Sequence, residues 1–211
     1  MRERKCSTWI RHDVDFSLYK AVQFAEFEST INVNSTYYVL VNGKYYNPYS
    51  VESLEKLKML RDLGHGIGIH YDLTSVKEAD AEAQNLNIQA HRAILEYALK
   101  IEIKYITFHK PFMGVEPKYE LITELNKTEL FYPDIDNRFK YISDSGCNWR
   151  ENPINVIMEY QNIHMNTHPV WWSDTDEEWQ TKIHNLGLDL ELSKSIEKEI
   201  REVSMYRDKL R

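Results

Sequence analysis

Short apolar runs alternate with helix-like runs along almost the whole chain, and this alternation restricts the fold more than any other feature. Residues 8–12, 34–41, 66–71, 104–109, 141–144 and 163–168 read as strands, and 17–29, 51–63, 75–100 and 118–125 as helices. Ser50 and Gly64 bracket the second helix as cap and stop. Ser75, Val76, Lys77 and Glu78 match a capping box that opens the third. From about residue 175 the chain is charged and helical, with Leu192, Ile196, Ile200 and Val203 on one apolar stripe. Strands separated by helices predict a parallel sheet with right-handed crossovers. About six to seven such units predict an α/β fold, specifically a distorted (β/α) barrel. The 211 residues, 42% hydrophobic, suit a single domain over 1–211 with a sizeable core and a C-terminal helical extension from about 175.

In such folds the chemistry gathers at the carboxyl ends of the strands. Four of the strand-like runs end there in titratable side chains: Asp13 and Asp15, then His70, His109 and His168. Side chains alternate faces along a strand, so Thr107 and His109 share one face, as do His164, Asn166 and His168. Two acids at one strand end repel unless a cation lies between them or their jobs differ. A divalent metal, with one acid as ligand and the other as base, meets both conditions. Aspartate and histidine ligands suit zinc first, with nickel, cobalt or manganese as alternatives. A catalytic site keeps a position open for water and lowers its pKa. A carboxylate beside that water takes its proton, and a histidine across the site protonates the leaving group. The constellation therefore predicts metal-assisted hydrolysis.

The net charge of −7 argues against a partner that is a nucleic acid. No apolar run approaches the ~20 residues of a membrane span, and no apolar signal core follows the N-terminus. With Cys6 and Cys147 as the only cysteines, no disulfide framework is expected and a cytoplasmic location is the default. Cys147 lacks a base partner and is not read as a nucleophile. His12 has the opposite parity to Asp13 and is expected outside the barrel, and His65 is read as structural. Tyr45, Tyr46 and Tyr49 form either a sugar-stacking loop or a loop packed on the barrel rim. The acidic run at 174–178 reads as a solvated helix start.

The motifs that carry these residues resemble, in order, those of the polysaccharide deacetylase family, the NodB-homology domain of carbohydrate esterase family 4. His12-Asp13-Val14-Asp15 resembles the first motif, which implies Asp13 as general base and Asp15 as metal ligand. Leu63-Gly64-His65-Gly66-Ile67-Gly68-Ile69-His70 resembles the segment that carries the first metal histidine, here His70. Phe108-His109-Lys110-Pro111-Phe112 resembles the Arg-x-Pro-Tyr motif, with His109 in the arginine's place. Asp144 to Trp149 resembles the motif that shapes the acyl pocket, and Thr167-His168-Pro169 the motif whose histidine, His168, is the general acid. The resemblance implies a NodB-like barrel and a metal-dependent hydrolase removing an acyl group, acetyl first, from a sugar or glycan. It implies a substrate pocket drawing on Pro111, Asp144, Trp149 and Trp171. It points to a divergent branch, of the kind found among bacterial surface-glycan biosynthesis proteins. Thr74 stands where the family has its second metal histidine, leaving His109, Asp72 or extra water as the third ligand. Gly66 stands in the position normally held by glutamate, and the arginine that usually steadies the base is missing. A catalytically impaired glycan-binding or scaffold protein is the alternative reading.

Overall fold

The structure is a computed structural model and describes residues 7–76, 80–111, 117–133, 138–187 and 190–208. In chain order the elements are β1 (Ser7–Val14), α1 (Leu18–Thr30), β2 (Thr36–Leu40), α2 (Val51–Asp62), β3 (Gly66–Tyr71), α3 (Ala81–Leu99) and β4 (Ile106–Phe108). Then follow α4 (Tyr119–Lys127), β5 (Lys140–Ser143), α5 (Pro153–Glu159), β6 (Asn162–Thr167), α6 (Trp179–His184) and α7 (Leu190–Asp208). The six strands are all parallel, in the order β4-β3-β2-β1-β6-β5. They curl into a half-barrel surrounded by helices, the α/β fold that the alternation predicted in the NodB-like form that the resemblance implied. Among the described residues β4 and β5 remain the two edges, so the barrel is open on one side.

Local signals account for most element starts. The Ser17 and Ser50 side chains accept from the Lys20 and Ser53 backbone amides at the heads of α1 and α2. Gly64 follows α2 at φ +90°, where other residues are strained. The third helix starts later than predicted: Leu73–Val76 form one 3₁₀ turn, and Asp80 caps α3 by accepting from the Ala83 amide. Lys77 and Glu78, half of the expected capping box, lie outside the described residues. Helix α5 was not foreseen, although its signal is local: Asn152 accepts from the Ile154 and Asn155 amides, and Pro153 fills the first helical position. The C-terminal helical stretch is two helices, parted near Gly187 at φ +67°. The acidic run 174–178 precedes α6 rather than opening it. The side chain of Leu192 lies outside the described residues, while Ile196, Ile200 and Val203 are buried as the stripe predicted.

Strand alternation gives the sheet two unlike faces. The outer face carries Val14, Val39, Ile69 and Phe108 into the main core, against Leu18, Leu60, Ile88 and Leu121 from the helices. His12 lies on this face, as its parity required, and is buried beside Glu28 of α1. Its Nε2 lies 2.9 Å from Glu28 Oε1 and its Nδ1 2.6 Å from Thr167 Oγ1. The other Glu28 oxygen accepts from Ser35 Oγ at 2.7 Å and Tyr37 OH at 2.8 Å. These hydrogen bonds outweigh the burial that would raise the Glu28 pKa and hold it below the usual value. His65 joins the same cluster through Ser35, a structural role. Glu28→Gln replaces one acceptor oxygen with a donor that faces donors. We expect it to lower stability by about 1–3 kcal/mol, read as a shift of the urea midpoint with unchanged slope. An unshifted midpoint would refute the importance of this network.

The inner face is polar at its carboxyl end and aromatic at its base. Trp9 fills the base, with ring centroids 5.1 Å from Tyr105 and 5.3 Å from His164. Tyr38 reaches across β3 so closely that a Cβ on Gly68 would lie 2.6 Å from its ring. Only glycine fits there.

Candidate active site

At the carboxyl end of β1, Arg11 and Asp13 point inward on alternate residues, and Asp15 follows one step beyond the strand. β3 delivers His70, and its register against β4 sets His70 beside Thr107. Two residues past Thr107 on the same face comes His109. Asp15, His70 and His109 are all at most 7% exposed, and each offers one ligand atom to a common point. His70 Nε2 lies 3.2 Å from Asp15 Oδ1 and 3.2 Å from His109 Nδ1, and His109 Nδ1 lies 3.3 Å from Asp15 Oδ1. Four tetrahedral donors at 2.0–2.1 Å from a zinc ion stand about 3.3–3.4 Å apart. The triangle has nearly that spacing without adjustment. Asp15 Oδ1 is buried without a hydrogen bond of normal geometry, as an atom reserved for a cation would be. The three residues fit a divalent metal.

Both imidazoles are turned toward that point by their other nitrogens. His70 Nδ1 lies 2.8 Å from Thr107 Oγ1, and His109 Nε2 lies 2.8 Å from Glu199 Oε1. Burial alone would raise the Asp15 pKa and lower that of His109. Their mutual attraction prevails, holding Asp15 well below the carboxylate range and, with Glu199, lifting His109 to about 10. Thr74 is exposed and donates to Asp72 Oδ1, so neither residue joins the triangle. Gly66 opens β3 at its far end, about 13 Å of extended strand from His70. Its substitution for glutamate does not bear on the site.

An arginine was expected to be missing, yet one reaches Asp13 from β1 itself. Arg11 grips Asp13 with two bonds, Nε to Oδ1 at 3.0 Å and Nη2 to Oδ2 at 2.8 Å. Asn166, opposite Arg11 in the β1–β6 register, donates Nδ2 to Asp13 Oδ2 at 2.9 Å. Burial would raise the Asp13 pKa, but Arg11, His70 and His168 outweigh it and keep the carboxylate ionised. The sequence reading passed over Arg11, although its spacing of two from Asp13 was the signal.

His168 closes the site from β6. Its Nε2 lies 3.7 Å from Asp15 Oδ2 and 4.0 Å from Asp13 Oδ2. Its Nδ1 lies 2.7 Å from Asp144 Oδ1, and its backbone amide also donates to that carboxylate. Trp172 Nε1 donates to the second Asp144 oxygen at 2.8 Å. Burial would lower the His168 pKa; Asp144 outweighs it, with Asp15 and Asp13 adding, and lifts it to about 9. His168 is therefore an imidazolium near neutral pH, ready to give a proton.

These groups line a cavity of about 330 Å³, within the range of small-molecule sites. Pro111 and Trp171 are among its lining residues. Asp144 and Trp149, also expected at the substrate pocket, are not among its lining residues. Asp144 stands behind His168, its oxygens already taken by His168 and Trp172. Trp149 packs with Ile142, Val156 and Ile163 on the other side of β5. Phe112 lies outside the described residues. Tyr45 and Tyr46 pack on the rim: Tyr46 OH donates to the Val14 carbonyl, and Tyr45 OH to Glu199. The remaining wall comes from α7, through Glu199, Ile200 and Val203.

No protein-family model matches the sequence, and no curated protein matches it. Solved structures do match. The chitin deacetylase of the fungal pathogen Colletotrichum lindemuthianum superposes with a TM-score of 0.59 at 13% identity, over 92% of this chain and 83% of that one. A carbohydrate esterase family 4 pseudoenzyme from Bacillus anthracis matches with a TM-score of 0.55 at 13% identity, over 80% of this chain. A mutant of that pseudoenzyme with restored enzymatic activity matches with a TM-score of 0.57 at 12% identity, over 97% of this chain. The chain spans 56% of the wild-type pseudoenzyme and 65% of the mutant. At these identities the likeness is one of fold: the half-barrel is that of the family 4 polysaccharide deacetylases.

Proposed function

We propose that the protein is a metal-dependent hydrolase that removes an acyl group, acetyl first, from a sugar or glycan. The observation that carries this reading is the buried triangle of Asp15, His70 and His109, with a clamped carboxylate, Asp13, and a charged imidazole, His168, beside it. Bound in the triangle, a divalent ion would supply Lewis acidity and a water of lowered pKa. Zinc suits the donor set first, with nickel, cobalt or manganese as alternatives. Asp13, held ionised and oriented by Arg11 and Asn166, takes the proton of the attacking water. His168, held by Asp144, gives a proton to the departing amine or hydroxyl. Phe16, Tyr141 and Trp171 supply apolar walls to the cavity that receives the acyl group. A role in bacterial surface-glycan biosynthesis, in the cytoplasm, belongs to the same proposal.

The second reading, an impaired glycan-binding or scaffold protein, is favoured by Thr74 and by the pseudoenzyme among the structural neighbours. One measurement separates the two. The purified chain, loaded with zinc and dialysed, should retain one ion per chain, and His109→Ala should lose it. The loaded chain should release acetate from N-acetylated chito-oligosaccharides or acetylated xylan. Metal retention without acetate release from either would favour the binding protein. No retained metal would refute the hydrolase as drawn.

A further inference from the structure

We infer that Glu199, on the C-terminal helix α7, is the positioning residue that makes His109 a metal ligand. The inference rests on the metal reading above and deepens it. A histidine can bind a cation through either ring nitrogen, and the hydrogen bond made by the other nitrogen decides which. His109 Nδ1 faces the triangle, and His109 Nε2 lies 2.8 Å from Glu199 Oε1. A carboxylate can only accept, so the Nε2 proton is held in place, and an ion entering the triangle would displace the proton of Nδ1 and take that nitrogen's lone pair. The ring stands at 83° to that of His70, with centroids 5.1 Å apart, so rotation of either would spoil the convergence.

Glu199 is itself held rigidly. Its Oε2 accepts from Tyr45 OH at 2.6 Å and from Lys110 Nζ at 2.9 Å. Ile196 and Ile200, on the same helix, are buried against Phe16, Leu40 and Trp171. Both carboxylate oxygens are thus engaged, Oε2 by Tyr45 and Lys110 and Oε1 by His109. If the carboxylate served only to pin α7 to the barrel, the Oε2 contacts would suffice. The second oxygen is spent on His109. The chain thus places the third ligand just past β4 and steadies it from a helix 90 residues further on.

The test is metal affinity, read with zinc and cobalt against a chromophoric chelator, together with the visible spectrum of bound cobalt. Glu199→Gln keeps the volume but removes the charge, and should weaken affinity about 10–100-fold and alter the cobalt spectrum. Glu199→Asp, which keeps the charge but shortens the arm, should act in the same direction and serves if the first variant does not fold. Tyr45→Phe strips a bond from the oxygen facing away from His109. It should lower the melting temperature while leaving the cobalt spectrum unchanged. Glutamate variants with lowered melting temperature but unchanged affinity and spectrum would overturn the inference and reduce Glu199 to a packing residue. Absence of metal uptake by the unaltered chain would overturn the metal reading itself.

Discussion

Under the proposed function, Asp13→Asn should lower acetate release by about 10²–10⁴-fold, the usual contribution of a positioned general base, while leaving metal uptake intact. Asp13 lies outside the triangle of ligand atoms, so its loss removes no ligand. Asparagine keeps the size of the side chain and one oxygen for Arg11 or Asn166, but it cannot take a proton. The substitution also deprives the buried Arg11 guanidinium of its counter-charge. Part of any loss could then reflect a weakened fold, so turnover must be compared where both proteins are folded. Acetate release, metal content and the melting temperature should be measured on the same preparation. Unchanged turnover with bound metal would remove Asp13 as the base. Lost metal would make it a ligand instead.

The parts of this molecule that were legible in the sequence are those set by local alternation. Period two along β1, β3, β4 and β6 placed Asp13, His70, His109 and His168 on the inner face before any contact was known. The same parity put His12 on the outer face, where it meets Glu28. Helix starts at Ser17 and Ser50 were legible for the same reason, because a cap is decided within three residues.

Tertiary facts were harder to read. Counting four residues beyond His70 leads to Thr74 and suggests a missing ligand. The site is assembled in space, across the β3–β4 register, and there His109 brings a third donor atom up to Asp15 and His70. Arg11 was overlooked because an arginine was sought on the loop after β4, whereas the Asp13 carboxylate needs a guanidinium only within reach, from whichever strand supplies it. Asp144 and Trp149 share a motif-like loop, but one turns toward His168 and the other toward Val156, a divergence no spacing reveals. Glu199 was invisible for a plainer reason. On a charged helix, glutamates at 197, 199 and 202 look alike until packing buries one of them.

Arg11→Ala should be the most destabilising of these substitutions, by about 3–5 kcal/mol, because it breaks a buried ion pair from one side. Arg11 is 2% exposed and Asp13 4%, so neither charge is relieved by water. The guanidinium also lies 5.5 Å from the centre of the Tyr38 ring and 6.0 Å from that of Tyr141, contacts that alanine forfeits. Without Arg11 the Asp13 carboxylate keeps one donated hydrogen bond, from Asn166, and its pKa rises toward the value burial would impose. Arg11→Lys should recover only part of the loss, since an ammonium cannot form the two-pronged bond. Replacing both partners, as Arg11→Met with Asp13→Leu, should recover most of the stability and none of the activity. An apolar pair of similar volume removes both desolvated charges together. Urea unfolding of Arg11→Met, of Asp13→Leu and of the variant carrying both closes a cycle in which the coupling is read directly. Additive losses would show that Arg11 and Asp13 act independently, and that the clamp on the base is a contact without consequence.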